Sequence, residues 1–124
     1  MSIGRRQWAI AEGYIPPSSH GPAPQMTSHE AVCILNAGDE AAHVEMMVFY
    51  EGKDPVGPYR FKVAPRRSRH LRFNDFDDPE PIPKDTPFSS VITSNVPIVV
   101  QHTRLDSRQS ENALLSTIAF AGEQ

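Results

Sequence analysis

The chain has a single cysteine, Cys33, so no internal disulfide can form. A lone thiol fits a reducing compartment, and its place in the apolar string Ala31-Val-Cys-Ile-Leu predicts that it is buried. No apolar stretch approaches the roughly 20 residues needed to span a bilayer. Arg5 and Arg6 are followed by no apolar segment of the kind a secretion signal carries, so the expected location is the cytoplasm. The sequence has no Gly-x-Ser-x-Gly, no Gly-rich phosphate loop and no Cys paired with a nearby His. An enzyme is therefore not expected, and no cofactor is implied. Five histidines are present, but the close pairs are only His29 with Glu30 and His43 with Glu45. Zinc sites use tighter and more numerous ligands, so no metal site is expected. The formal net charge of -3 argues neither for nucleic acid nor for a membrane surface.

Proline is plentiful, at 12 of 124 residues. Proline interrupts helices and central strands, so these residues belong to loops, edges and turns. Combined with β-branched runs, they point to an all-β chain. A length of 124 residues is that of one domain, spanning 1–124. Short strands separated by turn signals suggest a sandwich or barrel. Eight strands are expected, over residues 7–11, 31–35, 43–50, 59–63, 68–73, 88–94, 98–105 and 113–120. Val44, Met46 and Val48 fall on one face of the third, opposite His43, Glu45, Met47 and Phe49. Tyr59, Phe61 and Val63 oppose Arg60 and Lys62 in the fourth. Asn36-Ala-Gly-Asp is a turn signal, which predicts a hairpin between the second and third strands. Residues 13–25 and 74–87 read as loops, the latter a long acidic, Pro-rich surface excursion. The last four residues are expected to fray.

Three groups of residues could carry function. Arg60, Lys62, Arg66, Arg67, Arg69 and Arg72 form a basic cluster, followed at once by acidic Asp75 and Asp77. Such a cluster can meet an acidic partner, phosphate groups or nucleic acid. It can equally be a solvated edge whose charges discourage aggregation. No aromatic residue is interleaved as single-strand stacking requires, so DNA is a weakly supported partner. The second group follows the apolar run 96–100, which leads without a turn into a dense polar run over 101–112. There His102, Arg104 and Asp106 share one strand face at period two. With Glu12 and Tyr14 they form a candidate ligand-binding set for a small polar molecule, although solvation or mutual pairing explains them as well. Trp8 is expected in the core, while Tyr14 is open to either role.

Several long strings carry a closer likeness. Trp8-Ala-Ile-Ala-Glu-Gly-Tyr-Ile-Pro-Pro, Val32-Cys-Ile-Leu-Asn-Ala-Gly-Asp, Pro55-Val-Gly-Pro-Tyr-Arg, Arg72-Phe-Asn-Asp and Ser94-Asn-Val-Pro-Ile-Val-Val-Gln-His-Thr-Arg-Leu-Asp-Ser-Arg-Gln resemble, in this order, the soluble sensory rhodopsin transducer family. The resemblance runs nearly end to end. It implies a small cytoplasmic antiparallel β-sandwich, jelly-roll-like, that assembles as a homotetramer. It also implies a partner, the cytoplasmic side of a microbial sensory rhodopsin, whose light signal is relayed. For relatives without a rhodopsin, it implies a small-ligand role, with sugars suggested, or a DNA-linked regulatory role. The basic cluster and the acidic loop could then supply the partner surface. A tetramer would need an exposed apolar strip on each protomer, for which Met46, Val48 and the strand over 113–120 are candidates.

Overall fold

Apolar side chains at every second position, separated by turn residues, build strands whose inner faces must be covered by a second sheet. The computed structural model describes residues 2–24, 26–109 and 113–122. Eight strands follow in chain order: β1 (Arg5–Gly13), β2 (His29–Asn36), β3 (Ala42–Phe49), β4 (Val56–Val63), β5 (Arg67–Arg72), β6 (Phe88–Asp106), β7 (Ala113–Ile118) and β8 (Phe120–Ala121). A 3-10 turn, Phe73–Asp75, follows β5. Among the described residues no helix is long and apolar enough to cross a membrane.

The result is an antiparallel β-sandwich. One sheet has the order β4-β3-β6-β1-β8. In the other, β2 pairs with β5 and β6, and β7 pairs with β6. The 19-residue strand β6 therefore belongs to both sheets. Its first half pairs with β3 as far as Ser94 and with β1 as far as Ile98, and its second half pairs with β2 from Val99 onward. The two strands expected over 88–94 and 98–105 are thus one. Pro97 does not break it, because Gln7 pairs with Thr93 and Arg5 with Ile98, which leaves an irregularity in the β1–β6 register. At a bulge proline displaces no ladder hydrogen bond. Gly4 fits the same spot at a φ of 107°; a Cβ there would lie 2.2 Å from the Ile98 carbonyl oxygen.

The core lies between the sheets. Val44, Met46 and Val48 of β3 are buried while His43, Glu45 and Phe49 are exposed, as the alternation predicts. Tyr59 and Val63 of β4 face inward as well. Trp8 is buried, and its Nε1 donates to the carbonyls of Arg5 and Ile98 at 3.0 and 3.1 Å. Residues 74–87 do more than cross the surface. Phe76 and Ile82 insert into the core, and the Phe76 ring packs on Phe61, Phe73 and Tyr59 at centroid distances of 4.8, 5.2 and 5.8 Å. The Tyr59 hydroxyl donates to the Glu80 carbonyl at 2.7 Å, and burial pushes its phenol up to about 12.

Four further expectations need correction. β2 and β3 form no hairpin, since they lie in different sheets. Their connection is a corner held by buried Asn36, whose Nδ2 donates to the carbonyls of Glu40 and Val63 at 2.8 and 3.1 Å. Cys33 is exposed rather than buried. It is out of phase with Val32 and Ile34, which take the core face. Met46 and Val48 lie in the core, so they offer no surface for assembly. Finally, Ala121 pairs with Trp8 and the Gly122 N–H donates to the Gln7 carbonyl at 2.8 Å, which ties down part of the expected frayed end. Residues 123–124, and 110–112 of the polar run, lie outside the described residues.

Candidate functional site

A sandwich has two long open sides, and here each carries one of the candidate residue groups. On the first side, edge strands β4 and β5 belong to opposite sheets and meet across a groove. Lys62 pairs with His43 and Arg60 with Glu45 on the outer face of the first sheet. Arg60 Nε donates to Glu45 Oε2 at 2.9 Å. From the other sheet, Arg69 reaches across and donates from Nη1 to the Lys62 carbonyl at 2.8 Å. Two connected hollows result. One, of about 670 Å³, is lined by Arg60, Lys62, Arg69, His43 and Glu45, with Phe61 beneath. The other, of about 440 Å³, is lined by Arg60, Arg69 and Arg72 on one flank and Asp75, Asp77 and Asp78 on the other.

The fold thus brings five of the seven predicted partner residues together: Arg60, Lys62, Arg69, Asp75 and Asp77. It sets Arg66 and Arg67 apart at the corner between β4 and β5. Arg66, at a φ of 57°, lies 3.4 Å from Asp39, and Arg67 Nη1 donates to the Arg66 carbonyl at 3.0 Å. Among the described residues no ion pair within 4.0 Å joins Asp75, Asp77 or Asp78 to the arginines facing them. Both signs of charge are therefore available to a partner.

On the second side, the predicted ligand set is organised by a residue that the sequence reading passed over, Glu30. Its carboxylate is fully buried and accepts three hydrogen bonds. These come from His102 Nε2 at 2.6 Å, Arg104 Nε at 2.7 Å and the Tyr14 main-chain N–H at 2.8 Å. Glu30 lies opposite Arg104 in the β2–β6 register, and Val32 lies opposite His102, so all four face inward. Of the predicted recognition face, His102 is 4% exposed, while the side chains of Arg104 and Asp106 keep exposures of 20% and 26%. The signal for Glu30 was present, because an acid in phase with Val32 and Ile34 sits on the core face of its strand and needs buried partners there.

The remaining members divide. Glu12 sits at the rim, with Oε1 4.0 Å from Arg104 Nη1 and its side chain 84% exposed. Asp106 belongs to a separate pair. Arg108 donates to it from Nε and Nη2 at 3.0 and 2.7 Å and holds its carboxyl below the usual range. The Arg108 guanidinium also lies 5.7 Å from the centre of the Tyr14 ring. The Tyr14 hydroxyl donates to Asp85, which pushes the phenol up. Among the described residues no group of three or more His, Cys, Asp or Glu is placed to hold a metal ion.

An apolar strip lies beside this side. Leu114, Leu115, Ile118 and Phe120 of the last two strands are 50–74% exposed. Of the three segments considered for assembly, this one alone is at the surface.

Comparison with known proteins follows the whole sandwich. A family model described as Anabaena sensory rhodopsin transducer matches residues 3–121. A solved structure titled "Anabaena sensory rhodopsin transducer" is 68% identical, covers 85% of this chain and 99% of its own, and superposes with a TM-score of 0.76. A second, titled "Crystal Structure of Thermotoga maritima 1070", is 36% identical over 98% of both chains, with a TM-score of 0.88. A comparison with curated proteins finds no match.

Proposed function

The chain belongs to the Anabaena sensory rhodopsin transducer family, and from this premise we propose that it binds the cytoplasmic face of a microbial sensory rhodopsin and relays its light signal. It acts by contact rather than catalysis, in the cytoplasm, and as a homotetramer. The observation that supports this reading is the β4–β5 groove. Arg60 and Arg69 face Asp75 and Asp77 across one hollow with no ion pair between the two walls, and Lys62 lines the adjoining hollow. A surface of mixed charge, in which Arg60 is held by Glu45 while the two walls of the groove stay apart, suits the charged loops of a membrane protein, giving specificity and a fast on-rate at modest affinity. The same acidic wall disfavours DNA, whose phosphates it would repel. For the tetramer, support comes from exposed Leu114 and Ile118, which share one face of β7 opposite Leu115 and form an apolar patch of the kind that closed assemblies bury.

The test is a calorimetric titration of the protein with a detergent-solubilised sensory rhodopsin, dark and lit, at low and moderate salt. The expected result is saturable binding that differs between dark and light and weakens with salt. The triple variant Arg60→Glu/Lys62→Glu/Arg69→Glu should lose about tenfold in affinity or more. No binding at any salt, or binding unmoved by the triple reversal, refutes the reading.

A further inference from the structure

We propose that the cleft on the second open side of the sandwich, between β1 and β7, binds a small monocarboxylate with an apolar tail. The site is distinct from the β4–β5 groove and does not depend on the rhodopsin reading.

The cleft has a volume of about 290 Å³, near the lower end of small-molecule pockets. Its walls are short or apolar, with Ala9 and Ala11 from β1, Leu115 from β7 and Phe120 from β8. At its base are the two basic side chains of the Glu30 cluster, His102 and Arg104. Buried polar groups are normally satisfied, and here the satisfaction is one-sided. Arg104 makes its hydrogen bond through Nε, to Glu30. A guanidinium carries five N–H donors in a rigid fork, and among the described residues the remaining four have no protein acceptor. His102 is bonded through Nε2 to Glu30, and no hydrogen bond joins its Nδ1 to another described residue. Two basic side chains therefore share one buried carboxylate, and both residues line the same cleft.

A second carboxylate would complete this arrangement. The protein's own candidate, Glu12, is poorly placed at 4.0 Å from Arg104 Nη1 and is 84% exposed. A ligand carboxylate entering the cleft could take the outer edge of the guanidinium in the paired geometry that arginine favours. Glu30 already fixes the orientation of that guanidinium, so little side-chain freedom would be lost on binding. One open cation edge and one imidazole beside a buried acid suit a single negative charge better than a phosphate dianion. The alanine, leucine and phenylalanine walls select for an aliphatic body rather than a polyol. The ligand class is thus a short fatty or branched-chain acid.

The experiment is chemical-shift titration of the full, ¹⁵N-labelled chain with sodium hexanoate, against hexanamide and sodium acetate as probes lacking the charge or the tail. Hexanoate should shift the amides of Arg104, Leu115 and Thr117 saturably, with a Kd on the order of 1 mM. Hexanamide and acetate should each bind about tenfold more weakly or worse. Glu12→Gln removes the competing rim carboxylate from an exposed position and should tighten hexanoate about two- to fivefold. Leu115→Trp fills the cleft from a half-exposed position and should abolish the shifts; where that variant fails to fold, the amide comparison and Glu12→Gln decide. The proposal is overturned by no shift at about 20 mM hexanoate, by equal binding of hexanamide, by shifts confined to the β4–β5 groove, or by undiminished binding to a folded Leu115→Trp.

Discussion

Replacing Glu30 with Gln keeps the shape of the side chain and removes the charge on which three donors converge. His102 Nε2 and Arg104 Nε lose an anionic acceptor at 2.6 and 2.7 Å, and one of the two oxygens becomes an amide NH₂ aimed at another donor. Breaking a buried ion pair from one side costs about 3–5 kcal/mol, because the partner is left uncompensated. Arg104 has a side-chain exposure of 20%, so water can reach the orphaned guanidinium. That places the expected cost near the lower end, about 3 kcal/mol. Against a total stability of roughly 6–19 kcal/mol for a domain of this length, the variant should still fold, with a Tm lowered by about 10 °C. The assay is urea denaturation followed by the fluorescence of Trp8, the single tryptophan, with far-UV circular dichroism as a second probe. A loss below about 1 kcal/mol would mean that the cluster is solvated enough to be dispensable, and the reasoning would fail. A second arm separates charge from packing: Glu30→Leu/His102→Leu/Arg104→Met removes all the charges together and should recover most of the loss.

Three further outcomes follow from particular contacts. The phenol of Tyr59 is raised by burial from 10.0 to about 12, so the unfolded chain gives up this proton first. The stability held by the neutral phenol is complete below pH 10 and drains away between 10 and 12, by about 2–3 kcal/mol; Tyr59→Phe should flatten that part of the profile in denaturant titrations, and an unchanged slope would contradict the assignment. Gly4→Ala forces a Cβ to within 2.2 Å of the Ile98 carbonyl oxygen at a φ of 107°. The expected cost is about 2 kcal/mol or more, read as a lowered Tm, and a neutral result would show that the bulge can relax. Ile118→Arg, at a position 64% exposed, should leave the protomer folded and shift sedimentation from the proposed tetramer toward smaller species, whereas an assembly of undiminished stability would move the assembly surface elsewhere.

Some of this was legible in the sequence and some was not, for reasons that can be located. β3 and β4 were readable because each has one wet and one dry face, so Val44, Met46 and Val48 separate cleanly from His43 and Glu45. The basic groove was half readable. Spacing put Arg60 and Lys62 on one face, but only the crossing between sheets brings Arg69 and Asp75 beside them. β6 was split at Pro97 because a proline in a central strand ordinarily ends it, and nothing local announces a bulge in the partner register. The corner at Asn36 was mistaken for a hairpin because its turn residues serve either purpose. What distinguishes it is the bond from Asn36 to the distant Val63 carbonyl. Cys33 was misjudged by reading the apolar run as a whole instead of by phase, and Glu30 was weighed only beside His29 as a metal pair. The alternation that hides Val32 and Ile34 exposes Cys33 and buries Glu30.

The dual membership of β6 also governs the order in which the chain can fold. Before residues 88–106 exist, the available pairings are β2 with β5 and β3 with β4. β1 has no partner until β6 is made, and neither inner face is covered until β6 joins the two sheets. A chain emerging from the ribosome must therefore carry β1 and two isolated strand pairs, with their apolar faces uncovered, until residues 88–106 have been made. Such non-local pairing is slow to close and leaves edges open to neighbouring chains. The charged residues along β4 and β5, at the outer edges of those early pairs, stand where a nascent chain most needs protection from its neighbours.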